Sequence, residues 1–230
     1  MKRVYRTIPA IWPFCAAFVL SFGCSDNETV VGGDRIEGSG RIVSDVRDVG
    51  PFEGVFVNSF ARVFVKQDTV ASLRIEADDN VIGRVQTAVA GGILLIGMQN
   101  GSYEHVTVRV YVSMQRISLL ENAGAAEFES VGDLRCGSIV CRITGAGTIR
   151  LAGTADEQTA EISGAGTISN LELVSSRCIA RISGTGNIEV VATQRLDAWI
   201  SGVGSVTYGG DPPEVFQWVT GVGVVRATNG

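Results

Sequence analysis

The sequence predicts an all-β protein that winds into a β-solenoid with coils of ~19–20 residues. One phrase, with the pattern Ile/Val-Ser/Thr-Gly-x-Gly, occurs five times towards the C-terminal end. Its first glycines are 19, 20, 18 and 19 residues apart, and a near-fixed period of this kind is the signature of a repeat architecture. The repeat is rich in β-branched residues and has no helical stripe, so its coils are expected to consist of strands. The ten repeat glycines are Gly145, Gly147, Gly164, Gly166, Gly184, Gly186, Gly202, Gly204, Gly221 and Gly223.

Side-chain polarity alternates along each copy of the phrase when residues are numbered from its first glycine, position 0. Positions −4, −2 and +4 are apolar in nearly every copy, whereas positions −3, −1 and +3 are mostly polar. Because strand side chains alternate between two faces, even positions are expected to face the interior and odd positions the solvent. The glycines at 0 and +2 would then also point inward, at a bend where a narrow solenoid leaves no room for a Cβ.

Position −3 is the outward position that varies most between copies, with Arg142, Glu161, Arg181, Trp199 and Trp218 in order. Stacking places Glu161 between two arginines and makes the two tryptophans neighbours in successive coils. Outward tryptophans on a rigid wall stack on sugar rings or anchor a protein partner. Simple packing, under a covering loop or after a bend of the last coils, accounts for them equally well. We take Trp199, Trp218 and Arg181 as the candidate partner or ligand surface.

The first 23 residues are typical of a lipoprotein-type signal peptide. Lys2, Arg3 and Arg6 precede an uncharged apolar stretch over residues 8–22. That stretch is too short, and too interrupted by prolines, for a comfortable membrane span. We therefore exclude residues 1–23 from the fold and expect an exported protein.

Cys24 is the candidate lipidation site. It ends the run Ser21-Phe-Gly-Cys24, which resembles a bacterial lipobox whose usual leucine is displaced by one position. The alternative is an ordinary cleaved signal peptide in which Cys24 is incidental. With a lipidated Cys24, the N-terminal lipid attaches the chain to a membrane, residues 24–39 form a flexible tether, and residues 40–230 form a single β-solenoid domain. Ser25 favours the outer membrane by resemblance to known sorting rules, with the protein facing either the periplasm or the outside.

Charge and cysteine content exclude several functional classes. The chain has a formal net charge of −5, and removal of residues 1–23 takes away three positive and no negative charges, which leaves −8. An acidic export product is a poor candidate for binding nucleic acid. Cys136, Cys141 and Cys178 are odd in number and lack metal-ligand spacing, so we expect no metal site and no disulfide framework. The Gly-x-Gly phrase lacks the third glycine and the following helix of a nucleotide loop, and we expect no cofactor.

The repeat register fades upstream without vanishing. Leu120, Asn122, Gly124, Ala126 and Phe128 fit positions −4 to +4 of the template. Earlier segments alternate in the manner of strands and are separated by turn signals such as Asp78-Asp79-Asn80, so we predict no domain boundary after residue ~40.

Several segments between residues 50 and 228, taken as a set, resemble the putative auto-transporter adhesin head GIN domain family. They are Phe52-Glu-Gly-Val-Phe-Val57, Val63-Phe-Val-Lys-Gln67, Leu73-Arg-Ile-Glu-Ala-Asp-Asp-Asn80, Val85-Gln-Thr-Ala-Val-Ala-Gly-Gly-Ile-Leu-Leu-Ile96, Val108-Arg-Val-Tyr-Val112 and the Ser/Thr-Gly-x-Gly repeats. The resemblance implies a right-handed parallel β-helix exported by bacteria, often as a lipoprotein, and adhesin-like. It carries over no catalytic residues.

The leading expectation is therefore a non-catalytic envelope lipoprotein with an adhesin-like or scaffolding surface for a protein or glycan. The last coil offers an exposed rung, which is expected to be covered by self-association or by a partner. One alternative is a polysaccharide-active β-helix enzyme such as a lyase, although Asp156, Glu189 and Asp197 form no compact acid/base set. Another is a self-polymerising solenoid scaffold.

Overall fold

The structure, a computed structural model, describes residues 35–228, which contain nineteen β-strands, one short 3-10 helix at Ile82–Arg84 and no α-helix. None of the described residues belongs to a helix that could cross a membrane. The strands are β1 (Arg35–Glu37), β2 (Ile42–Arg47), β3 (Gly54–Val57), β4 (Phe60–Gln67), β5 (Ser72–Asp78), β6 (Val85–Ala90), β7 (Ile93–Met98), β8 (Ser102–Glu104), β9 (Val108–Met114), β10 (Leu119–Asn122), β11 (Ala125–Ser130), β12 (Leu134–Ile143), β13 (Ala146–Arg150), β14 (Ala152–Ile162), β15 (Ala165–Ile182), β16 (Thr185–Ile200), β17 (Val203–Gly209), β18 (Glu214–Val219) and β19 (Val222–Ala227).

The strands stack into the walls of a parallel β-helix, which confirms the predicted fold class. Wall I consists of β7, β3, β10 and β18 together with the C-terminal parts of β12, β14, β15 and β16, all parallel to their neighbours. In the repeat coils, these segments precede the repeat glycines. Wall II consists of β9, β4, β11, β13, β17 and β19 together with the N-terminal parts of β15 and β16. In the repeat coils, these segments follow the repeat glycines. The first parts of β12 and β14 and the middle parts of β15 and β16 pair with one another as wall III.

The repeat register predicted from the sequence is the register of the stack. Ile143 pairs with Ile162, Ile162 with Ile182, Ile182 with Ile200, and Ile200 with Val219. The first four of these side chains are fully buried, as are those of most other even positions, so stacked isoleucine and valine columns fill the interior. The upstream copy is also confirmed, because β10 pairs with β12 and β11 with β13 in the predicted alignment.

The repeat glycines lie at a bend of the chain, and the backbone of the preceding coil is what leaves no room for a Cβ there. A Cβ on Gly164 would lie closer than 3.0 Å to the carbonyl oxygen of Gly145, and one on Gly184 equally close to that of Gly164. The same clash recurs at the other first glycines, which are only half-buried. The corner between walls I and II therefore stacks backbone directly on backbone, and only a residue without a Cβ fits there.

The first part of the solenoid is closed by antiparallel strands, and this antiparallel pairing was not predicted from the sequence. β6 pairs antiparallel with β7 of wall I, and β5 pairs antiparallel with both β9 of wall II and β2. These strands occupy the outer edges of β7 and β9. The N-terminal end of the stack is thereby capped within the same chain.

The tether predicted over residues 24–39 ends earlier than expected, because β1 pairs with β8 and belongs to the folded unit. The Asp78-Asp79-Asn80 turn holds the segment that follows β1. Gly40 N donates to Asp78 Oδ1 (2.7 Å), Ser39 Oγ to Asp79 Oδ1 (2.6 Å), and Asn80 Nδ2 to the carbonyl of Glu37 (2.8 Å). These bonds give the residues before 40 a fixed place. Residues 24–34 lie outside the described part.

Candidate binding surface

The position −3 column on the outside of wall I begins as a ladder of ion pairs. Arg142 contacts Glu121 (Nη1 to Oε2, 3.2 Å) and Glu161 (Nε to Oε2, 3.0 Å), and Arg181 contacts Glu161 (Nη1 to Oε1, 2.8 Å). Burial by itself would raise the pKa of Glu161, but the hydrogen bonds from Arg181 and Arg142 outweigh it and hold that pKa below its usual value. The charges in this part of the column thus satisfy one another.

The ladder ends at the two tryptophans, and no carboxylate follows Arg181. Arg181 pairs in register with Trp199, and its guanidinium lies 4.9 Å from the centre of the indole ring. Trp199 pairs with Trp218 in the next coil. The side chains are 36% and 66% exposed, so the last coils do not turn them inward. Arg181, Trp199 and Trp218 are therefore contiguous on one outer face.

Phe216 joins this face, and sequence reasoning missed it. It lies at position −5 of the last coil, two residues before Trp218 on the same side of β18, and it is 52% exposed. Arg195 places its guanidinium 4.4 Å from the centre of the phenyl ring. Its repeat position, −5, could have identified it from the sequence, because side chains at odd positions face outward. We call Arg181, Trp199, Phe216 and Trp218 the aromatic patch.

A groove borders the patch along positions −7 and −5 of successive coils. Its volume is about 590 Å³, and its lining includes Glu157, Thr159, Arg177, Ile179, Arg195 and Glu214. Arg177 contacts Glu157 at 3.3 Å, while Arg195 contacts Asp197 at 2.7 Å and Glu214 at 3.2 Å. The groove offers paired charges and hydrogen-bonding groups beside exposed aromatic rings. Such a surface suits recognition more than proton transfer, because each carboxylate already faces an arginine.

The cysteines provide no reactive thiol at this surface. Burial raises the pKa of Cys136 to about 11 and that of Cys141 to about 12, and it raises the pKa of Cys178 further. All three are free, and Cys141 and Cys178 are buried in the interior. Their thiols therefore stay protonated at neutral pH, which makes them poor nucleophiles and poor metal ligands.

The other candidates are dispersed. Cys24, the predicted lipidation site, lies outside the described residues. Asp78 is buried and accepts hydrogen bonds from Gly40 N and Thr107 N, each 2.7 Å long, so it serves the turn. His105 is exposed at a strand end, 3.8 Å from Glu37. No group of three histidine, cysteine, aspartate or glutamate side chains within residues 35–228 is arranged to hold a metal ion.

A stack of short parallel coils with one aromatic outer face defines a repeat protein of the parallel β-helix class. Comparison with known families is more specific. Residues 51–212 match the sequence model of the family described as "Putative auto-transporter adhesin, head GIN domain". The match covers more than half of the chain, so the chain belongs to this family, as its sequence motifs predicted.

One solved structure supports the fold. A putative adhesin from Bacteroides fragilis NCTC 9343 superposes with a TM-score of 0.69 at 22% identity, over 84% of this chain and 100% of that chain. A putative lipid binding protein from Parabacteroides distasonis ATCC 8503 (21% identity) and a putative adhesin from Parabacteroides merdae ATCC 43184 (19% identity) each give a TM-score of 0.49, over 85% of this chain and 100% of theirs. At these identities the first likeness shows the fold alone, and the two weaker ones add nothing to it. No curated protein matches the chain.

Proposed function

We propose that this protein is an exported bacterial envelope lipoprotein, anchored through a lipid on Cys24, whose solenoid is a non-catalytic, adhesin-like binding surface. The observation that carries the proposal is the aromatic patch. Three large aromatic side chains are exposed side by side at the end of a wall whose other charged residues are paired with one another. Such a patch is what a binding face for a protein or glycan requires.

Energetics support a ligand at this place. Phe and Trp side chains each bury 150–250 Å² when covered, at roughly 25 cal/mol per Å² of apolar surface. Trp218 and Phe216 keep more than half of their surface in water. A ligand that covers them gains this burial without disturbing the interior columns. The neighbouring arginines add donors that orient a polar partner.

The position of the patch also supports an adhesin-like role. β1, the first described strand, pairs with β8 near the capped end of the stack, whereas Trp218 lies in the last coil. Residue 35, where the described chain begins, and the patch therefore belong to opposite ends of the described stack.

The binding role is tested with a Trp199→Ala/Trp218→Ala double variant. Binding of the chain, purified from the producing cells, is measured against arrays of glycans, arrays of surface proteins and intact cells. We expect at least a tenfold loss of affinity for whichever target the unmodified chain binds. Leu171→Ala, which removes an exposed apolar side chain outside the patch, is the matched control. Unchanged binding by the double variant would remove the patch from the proposal.

The anchor and the location are tested separately. Cys24→Ser should abolish incorporation of a labelled fatty acid and release the chain from the membrane fraction. Protease shaving of intact cells, followed by mass spectrometry of the released peptides, distinguishes an outward-facing solenoid from a periplasmic one. Peptides from 35–228 appear in the first case only. A chain that stays membrane-bound without Cys24 contradicts the lipid anchor.

A further inference from the structure

The last coil presents open strand edges. Thr220 N donates to the carbonyl of Ile200, Val222 N to that of Gly202 and Thr228 N to that of Tyr208, which directs these residues towards the preceding coil. Backbone groups alternate in direction along a strand. The odd-numbered residues of β18 (Val215, Gln217 and Val219) and of β19 (Gly223 and Val225) therefore direct their N–H and C=O groups away from the stack, whereas Gly221 N, at the corner between the two strands, donates to the carbonyl of Ile200. No strand within residues 35–228 pairs with these edges.

The same coil lacks the features that keep strand edges apart. Residues 215–225 contain no charged residue and no proline. Val222 is 72% exposed and Val224 49% exposed, next to the exposed Phe216 and Trp218. Edge strands that stay unpaired are commonly protected by charges, prolines or bulges. An apolar edge without them is suited to pairing with another strand.

We propose that two copies of this chain pair end to end through their last coils, with β18 of each copy antiparallel to β19 of the other. A two-fold axis at the corner between walls I and II, close to Thr220, produces this arrangement. The residue pairs it brings opposite each other across the interface are Glu214 with Arg226, Val215 with Val225, Phe216 with Val224, Gln217 with Gly223, and Trp218 with Val222.

Side-chain direction and backbone direction both agree with this register. Every pair joins two odd or two even positions of the repeat, so outward residues meet outward residues and inward residues meet inward residues. Val215 and Val225, whose backbone groups are directed off the stack, lie directly opposite each other, as a hydrogen-bonded antiparallel pair requires. Val215 and Val225 are also the side chains that would close the open interior.

Other antiparallel registers also pair odd positions with odd and even positions with even. Charge complementarity favours the proposed register over these. Glu214 and Arg226 are the two charged residues of β18 and β19, and the proposed axis places each opposite its complement in the second copy. A shift by two residues would leave Glu214 facing Thr228 and Arg226 facing Phe216. The two-fold contact uses one surface twice, and it is self-complementary.

The N-terminal end argues for a closed pair of chains and against a filament. Its outermost strand, β2, carries Asp45 and Arg47 and runs antiparallel to β5. A head-to-tail contact would join this charged edge to the apolar edge of the last coil. The end-to-end contact instead joins two apolar edges, and the N-terminal edge that it leaves free carries Asp45 and Arg47 beside the exposed Ile42 and Val46. The contact goes beyond the proposed ligand binding but shares two aromatic side chains with it: Phe216 and Trp218 border the contact, whereas Trp199 and Arg181, one and two coils back, still face outward on wall I.

Cysteine cross-linking tests the register. The chain with Phe216→Cys is mixed with the chain with Val224→Cys under mild oxidation. Residues opposite each other in a non-hydrogen-bonded pair have Cα atoms ~4.5 Å apart, within the range of a disulfide. We expect a covalent dimer from the mixture and little from either variant alone. Phe216→Cys mixed with Val222→Cys is the off-register control, since diagonal neighbours lie ~7–8 Å apart.

Light scattering on the purified chain, across the micromolar range, tests the association itself. We expect a mass of twice the monomer that Gln217→Lys returns to one, because the lysine ammonium would point into the joined interior. Thr144→Lys, which adds the same charge at an exposed position on the middle of the stack, should leave the dimer intact. A monomer at the highest concentration, open-ended polymers, a dimer insensitive to Gln217→Lys, or equal cross-linking at position 222 would each overturn the proposal.

Discussion

The two ends of this solenoid differ in how their edges are finished. At the N-terminal end, β5 and β6 run antiparallel to the stack, β2 pairs antiparallel with β5, and Asp78 and Asn80 hold the entering chain with specific hydrogen bonds. At the other end, β18 and β19 simply repeat the preceding coil, and their outer edges have no partner within residues 35–228. The repeat pattern therefore specifies how one coil stacks on the next, but it includes no residues that end the stack. Closure requires residues that break the repeat.

The largest expected effect contrasts a glycine of the regular part with one of the irregular part. In Gly184→Ala the new Cβ would clash with the backbone of the preceding coil, so the coils must separate. We expect a loss of roughly 4 kcal/mol or more in the free energy of unfolding, measured by urea denaturation. Gly83→Ala, where no atom lies within 4 Å of the new Cβ, should instead gain about 0.4–1 kcal/mol. Equal effects at the two sites would contradict the stacking explanation.

The next effect concerns the capped end. Asp78 is buried, and its two carboxylate oxygens accept one backbone N–H each, from Gly40 and Thr107. Asp78→Asn replaces one acceptor with a donor facing an N–H, at a cost of about 3 kcal/mol. Amide hydrogen exchange should show faster exchange over residues 35–47 than in the repeat coils. Asp79→Asn, at the neighbouring exposed position, should change the exchange little.

A smaller effect tests the junction between the two parts. Asn122 occupies a position that is isoleucine in the next four coils, and it makes four hydrogen bonds to the backbone of Gly124, Ala126 and Ala146. Asn122→Ile restores the repeat pattern but removes these bonds in a buried place. We expect a loss of about 2 kcal/mol in urea denaturation. A gain in stability would mean that the repeat pattern alone governs this coil.

The smallest effect depends on pH and belongs to the regular part. The pKa of Glu161 is lowered in the folded chain, so its ion pairs stabilise the fold above the ordinary carboxyl pKa of 4.5 and lose that contribution as the pH falls through the lowered value. Glu161→Gln should cost about 1 kcal/mol near neutral pH and almost nothing in strong acid. Urea midpoints at the two pH values measure the difference. Glu157→Gln, which removes one partner of a more exposed pair, is the matched control and should cost less than Glu161→Gln near neutral pH.

The sequence was sufficient for what the repeat governs. Parity and spacing predicted the stacked columns, the outward direction of Trp199 and Trp218, and the place of Arg181 beneath them. A lack of room for a Cβ was expected at the repeat glycines, but the atoms that occupy that room, the backbone of the preceding coil, could not be identified, because a sequence pattern contains no distances. Phe216 was missed for a different reason: position −5 has no recurring residue type that would draw attention to it.

The antiparallel caps could not be predicted, because they depend on which strands pair across long separations. Segments 72–78 and 85–90 alternate like any strand, and nothing in their residues distinguishes a cap from a coil. The Asp78-Asp79-Asn80 segment was predicted as a turn, but its hydrogen bonds to residues 37–41 were not predicted. That contact joins segments about forty residues apart, and local turn chemistry carries no information about it.

The corner where wall II meets wall III absorbs the unequal lengths of the coils. Asn170 pairs with Val190 and Val174 with Val191, so residues 171–173 have no counterpart in the next coil, and one residue is recovered just beyond, between Ser175 and Arg177. The net difference matches that between glycine spacings of 20 and 18 residues. Variation in length is thus confined to wall III and its two borders, while walls I and II keep their alignment. A coil of this chain can therefore gain residues here without a change in the rest of the stack, and this is the place where a foreign peptide could be displayed in many copies along one line.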